Sequence, residues 1–349
     1  MAEGPQEISE KARKLFKIGN FARCYRPKDF TAVKVHVGEA GNTTHLPPQC
    51  IKGLIEELLA LDTKPFLTDT NALYTGHRHN AVDHMLTAAA HGYGIETLGV
   101  PFIVSGGLLG TSETTVQLDG HVNRHVFIAD DIVKCQSILS IAHFTGHPAA
   151  CAAATLKTLA MGCASKKGKM SQHAALTLSI TDNCTGCGQC IACCPAGAIT
   201  LEQNKADIDR DKCISCAECL AVCRFGAVKC NWAEETEALQ KNIAEYALAV
   251  LKGKRSRAAF FNFAVSITKD CDCFGKADAP RVADDVGIFA STDPVAVDKA
   301  TIDLVEQRAG RKLSRLIGNS RLNPNYQIEH AVRIGLGSGE YNLVSVDRA

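Results

Sequence analysis

The sequence has almost no net charge, no long apolar run and no low-complexity tract. Its 38 Lys+Arg are offset by 37 Asp+Glu, leaving a formal charge of +1. That balance gives no general attraction to nucleic-acid backbones or anionic membranes. No stretch reaches the roughly 18 apolar residues that suggest a membrane span. The nearest candidate, around Ala149 to Ala164, is interrupted by Lys157. Met1 to Phe16 carries Glu3, Glu7, Glu10, Lys11 and Arg13 without an apolar centre, so no secretory signal and a cytoplasmic location are expected. Nucleotide fingerprints are also missing. The Gly-rich segment Ser105 to Thr111 lacks a P-loop lysine and does not fit the dinucleotide pattern, so turn chemistry explains it better.

What remains is an ordinary soluble composition, 46% hydrophobic and 21% charged over 349 residues, enough for about two domains. The distinctive feature is 17 cysteines, concentrated rather than spread. In a long chain without an export signal, clustered thiols point to metal rather than to a disulfide framework.

The texture divides the chain. Residues 1–30 read as a charged helix and connector. Residues 31–180 alternate strands (Val33–Val37, Lys64–Thr68, Phe102–Ser105, Val126–Ala129, Ser137–Ile141) with helices (Pro48–Leu61, Ala81–Ala90, Pro148–Leu159). Residues 181–230 are cysteine-dense and Gly-rich. In residues 231–349 the alternation resumes with a helix at Thr236–Leu251, strands at Ala258–Ile267 and Val286–Ala290, and a helix at Pro294–Arg308 capped by Asp293. This predicts an α/β layered domain with a mostly parallel sheet, interrupted by a small α+β insert.

The insert contains a repeat. Cys184, Cys187, Cys190 and Cys194 recur 29 positions later as Cys213, Cys216, Cys219 and Cys223. Each half reads C-x2-C-x2-C-x3-C, the bacterial ferredoxin run in which the fourth cysteine serves the other cluster. The expected sets are therefore Cys184, Cys187, Cys190 and Cys223 on one [4Fe–4S] cluster, and Cys213, Cys216, Cys219 and Cys194 on a second. Zinc would need four of these cysteines and leave four aligned ones idle. The x3 spacing selects Cys194 over the adjacent Cys193. The module resembles a bacterial two-[4Fe–4S] ferredoxin, with Arg224 replacing the second proline and placing a cation near a cluster.

Other segments follow predicted strands: Asp69-Thr-Asn71 with His77-Arg-His79, His143-Phe-Thr-Gly-His147, Lys166 to Lys169 with His173, and Asp270-Cys271-Asp-Cys273. Open α/β sheets bind ligands at the carboxyl ends of their strands. Asp69, His77, His79, Gly106, His143, His147 and Cys271 are thus expected around one crevice. Asp69, His77, His143 and His147 are candidates for acid–base work, or for structural roles. Cys271 and Cys273, two apart on extended chain, project to one face. They could hold an additional metal or cluster, form a redox dithiol, or be small core residues. Lys166, Lys169 and His173 could meet an anionic substrate or an acidic partner face, or form a solvated basic loop. The isolated Cys24, Cys50, Cys135, Cys151, Cys163 and Cys230 read as small hydrophobes.

In this order, the segments resemble the family called domain of unknown function 362, in its ferredoxin-containing branch. The strongest matches are His143 to Pro148, Met161 to His173, Cys271 with Cys273, and Asp285 to Asp298. The resemblance implies a ferredoxin insert in an anaerobic, cytosolic protein and supplies no reaction. A fainter resemblance over residues 33–79, to the N-terminal domain of lactate racemase, concerns fold alone. The expected function is an oxidoreductase passing low-potential electrons to a His/Cys/Asp-lined site, from a redox partner protein or toward a small molecule. A ferredoxin-type carrier and a metal-trafficking or cofactor-assembly protein are the alternatives.

Overall fold

The computed structural model describes residues 4–74, 76–173, 177–214, 216–231, 236–273 and 279–346. Six strands form one sheet in the order Gly287–Ser291, Ala258–Ala264, Ser137–His143, Phe30–Lys34, Lys64–Thr70, Phe102–Ser105. All neighbours run parallel except the first pair, which is antiparallel. The central strands are buried along almost their whole length, as in a sheet covered on both faces.

Strand alternation divides the core. Ala32, Ile138, Ala258 and Phe260 face one apolar cluster, shared with helices Thr155–Cys163, Glu237–Val250 and Pro294–Ala309. Val33, Leu139, Ala259 and Phe261 face the other, shared with helices Pro5–Ile18 and Lys52–Ala60. The N-terminal helix thus belongs to the α/β domain, burying Ile8, Ala12 and Phe16 against it.

Several expected elements need correction. The helix expected over Pro148–Leu159 is split into a short strand, Cys151–Ala153, and a helix beginning at Thr155. Cys151 has φ 65°, incompatible with a continuous helix. The strand expected over Val33–Val37 ends at Lys34. Val126–Ala129 belongs to a separate hairpin with Glu113–Gln117, outside the main sheet. Asp293 does cap its helix, accepting from Val295 N and Ala296 N at 2.8 and 3.0 Å.

The cysteine-rich insert has its own pairings. Thr177–Ile180 lies antiparallel to Val228–Asn231, and Ile199–Glu202 to Lys205–Ile208. The 29-residue repeat is visible in the backbone. Gly188 and Ala217 (φ 73° and 64°) precede short helices, and Gly197 and Gly226 (φ 58° and 59°) follow them. The insert's apolar core includes Leu73 and Met170 of the α/β domain, so the two parts share packing. No described helix is long and apolar enough to cross a membrane.

Candidate active-site cleft and cysteine cavities

Strand Phe30–Lys34 lies between Lys64–Thr70 and Ser137–His143, so the chain order reverses beside it. Such a switch point opens a crevice beyond the carboxyl ends of the strands. Here it is a cleft of about 1110 Å³, lined among others by Lys34, Asp69, Arg78, His143, His147, Lys157, Lys169, His173, Cys271 and Cys273.

Its floor is a buried charge network. Asp69 Oδ1 lies 2.9 Å from Lys34 Nζ, and Asp69 Oδ2 lies 3.2 Å from Arg78 Nη1. Burial by itself would raise the Asp69 carboxyl, but Lys34, His36, His84 and Arg78 override it and hold the group ionised far below the carboxylate range. Arg78 also faces Glu39 at 3.4 Å and donates to the Tyr74 hydroxyl. Asp69 is therefore a clamp for two cations. His77 is exposed, and its neighbour Arg78 enters the cleft wall.

The two histidines after the Ser137–His143 strand differ. His143 donates from Nδ1 to Asp272 Oδ2 and from Nε2 to Val265 O, both at 2.8 Å. Burial opposes its charge, but Asp272 prevails and raises its pKa. With both nitrogens donating, His143 is an imidazolium that anchors the Cys271–Cys273 segment. His147 Nδ1 accepts from Ala149 N and Ala150 N at 3.2 and 3.0 Å, so its ring proton sits on Nε2. Burial and then Lys157 push its pKa well below the ordinary value.

Cys271 and Cys273 are joined by a disulfide. Ligand atoms of His147, Cys271 and Cys273 all lie within 4.8 Å of one another. Lys157 Nζ stands 3.5 Å from Cys271 Sγ. Burial lowers Lys157 to about 8, and lowers Lys169 to about 7 against the partial opposition of Asp69.

The expected basic loop is not solvated. Lys166 and Lys169 sit in a helix, Lys166–Gln172, and are buried. Lys169 donates to Thr70 Oγ1 and to Ala164 O. Lys166 reaches His79 at 3.2 Å, outside the cleft lining, and Gly106 is likewise absent from that lining. Of the seven groups expected around one crevice, Asp69, His143, His147 and Cys271 meet there. Lys34, His36, Tyr74 and Lys157 were missed. A charged residue inside an otherwise apolar parallel strand, as at Lys34, was the available signal.

The insert holds two smaller cavities. One is lined by Cys184, Cys187, Cys190 and Cys223, the other by Cys194, Cys213, Cys216 and Cys219. Backbone amides point at their sulfurs: Ala206 N at Cys184, Ala198 N at Cys194 and Ala227 N at Cys223, at 3.3–3.4 Å. Cys193 Sγ turns instead to Cys190 O. Cys24, Cys50, Cys135, Cys151 and Cys163 are buried singly; the Cys230 side chain lies outside the described residues.

The sequence profile of a family described as "Domain of unknown function (DUF362)" matches residues 31–303. The chain belongs to the DUF362 family. No curated protein matches it. Among solved structures, this DUF362 chain is similar to the lactate racemase apoprotein from Thermoanaerobacterium thermosaccharolyticum, at 10% identity and TM-score 0.46, covering 88% of this chain and 56% of that one. A Thermotoga maritima protein from a structural genomics consortium is similar at 11% identity and TM-score 0.44, covering 88% of this chain and 59% of that one. The chain thus spans less than two thirds of either protein.

Proposed function

We propose that the protein is an iron–sulfur oxidoreductase whose insert is a two-[4Fe–4S] ferredoxin module delivering electrons to the cleft of the α/β domain. One observation carries the reading. Each cysteine quartet lines its own cavity, and each quartet takes its fourth cysteine from the other half of the repeat. The donor set fits the group. Four thiols surround each cavity, apolar side chains line much of the remainder, and backbone N–H groups approach three of the sulfurs. When bound, such clusters supply one-electron transfer at a potential set by charge, hydrogen bonding and exposure.

The chain's own residues join the module to the cleft. His79 Nε2 lies 3.0 Å from the carbonyl of Leu220, the residue after Cys219, and His79 Nδ1 lies 3.3 Å from Tyr74 O. The Tyr74 hydroxyl then donates to Cys273 O at 2.7 Å. Two residues in contact with each other, His79 and Tyr74, therefore link the support of the second quartet to the cysteine pair in the cleft. The cleft's lysines favour a small anionic substrate, with half-buried Lys157 and buried Lys169 able to bind it. A carrier role would account for the insert but leave this cleft without a task.

The test is anaerobic iron and acid-labile sulfide counting with EPR on the reduced full chain. About eight irons and coupled [4Fe–4S] signals are expected. A natively folded, iron-free protein from oxygen-excluded cells would overturn the reading.

A further inference from the structure

Cys271 and Cys273 are two residues apart, bonded to each other and placed on the wall of the cleft. Two arrangements would bring such a pair beside a histidine: a soft-metal site or a dithiol couple. The surroundings distinguish them. An imidazole that binds metal through Nε2 presents a lone pair there and donates a proton from Nδ1. His147 has the opposite tautomer, because the amides of Ala149 and Ala150 already donate to its Nδ1. Its Nε2 therefore carries a proton rather than the lone pair a metal needs. The Lys157 ammonium, 3.5 Å from Cys271 Sγ, would repel a metal ion and stabilise a thiolate. His143 and Asp272 fix the intervening turn, so the pair can open and close on a rigid base.

We propose that Cys271 and Cys273 form a reversible dithiol–disulfide couple facing the cleft, with Lys157 as the positioning cation for the Cys271 thiolate. The reduction breaks one S–S bond and consumes two electrons and one proton, leaving the Cys271 thiolate beside Lys157 and an S–H on Cys273. The reductant is a low-potential one-electron iron–sulfur donor acting twice, or a dithiol that is itself oxidised to a disulfide. Only the identification of the insert as that donor rests on the function proposed above.

The experiment uses the full chain purified without oxygen, equilibrated in reduced and oxidised dithiothreitol at graded ratios and trapped with N-ethylmaleimide. Mass spectrometry of the peptide holding both cysteines should show them gaining two labels together in one two-electron transition. Metal analysis of wild type, Cys271→Ser and Cys273→Ser runs alongside. One extra metal ion per wild-type chain, lost in both variants and blocking the labelling, would overturn the couple. Lys157→Met should slow Cys271 alkylation at neutral pH by about tenfold, one pKa unit, whereas Lys157→Arg should keep the rate. Equal rates in all three proteins would overturn the role of Lys157. Iron counting on the same preparation separates the two ideas. Missing iron with an intact couple removes the electron source, and intact iron without a couple removes only this inference.

Discussion

His143 Nδ1 and Asp272 Oδ2 meet at 2.8 Å across 129 residues of sequence. The pair fixes the end of one strand to the segment carrying both cleft cysteines. It also gives stability a pH slope. Burial alone would lower His143, but Asp272 raises its folded pKa above the ordinary 6.5. The pair's contribution is therefore complete below about pH 6.5 and is lost as pH rises through the higher folded value. Asp272→Asn should cost about 3–5 kcal/mol by leaving the imidazolium unpaired and should flatten the alkaline slope. Urea unfolding from pH 6 to pH 9 measures both; parallel curves for variant and wild type would contradict the assignment.

Cys194 and Cys223 provide the sharpest test of crossed ligation. Each lies beside the cavity of the opposite half. Cys223→Ser should impair the site formed by Cys184, Cys187 and Cys190, and Cys194→Ser the site formed by Cys213, Cys216 and Cys219. Iron should fall from about eight toward four per chain in either case. EPR of the double variant should show neither intact signal; two unaffected signals would refute the crossing.

Gly168 lies in the helix that carries Lys166 and Lys169. A Cβ there would come within 2.2 Å of Phe127 O, a backbone atom. Gly168→Ala should push the helix off the hairpin and cost about 1–3 kcal/mol, read as a lowered thermal midpoint. An unchanged midpoint would mean that the contact relaxes freely.

Asp298 accepts from Thr155 N and Leu156 N at 2.9 and 2.8 Å, capping the helix that bears Lys157. Asn262 Nδ2 donates to Asp298 Oδ1 at 2.8 Å. Asp298→Asn must turn an NH₂ group toward one of these donors. A loss of about 1–3 kcal/mol is expected in chemical denaturation. Wild-type stability in the variant would show that the cap is dispensable.

Local signals made much of the fold legible. Ala81–Ala90 and Phe102–Ser105 lie where apolar spacing put them, and Asp293 was readable as a cap from its place before Pro294. The cap supplied by Asp298 was not, because it lies 143 residues from Thr155. The helix start was consequently placed too early, across Cys151. The site divided in the same way. Fixed spacing exposed the cysteine quartets, whereas Lys157 read only as an interruption of an apolar run. Its significance depends on Cys271, 114 residues away, which no local window can reveal.

The insert enters along Thr177–Ile180 and leaves along Val228–Asn231, with Thr177 opposite Asn231. A cassette whose two ends are laced side by side can be cut away and replaced by a short turn without stretching the sheet domain beneath it. The cleft and its cysteine pair could then be assayed with the proposed electron source physically removed, and the excised segment could be grafted into a loop with similarly spaced ends.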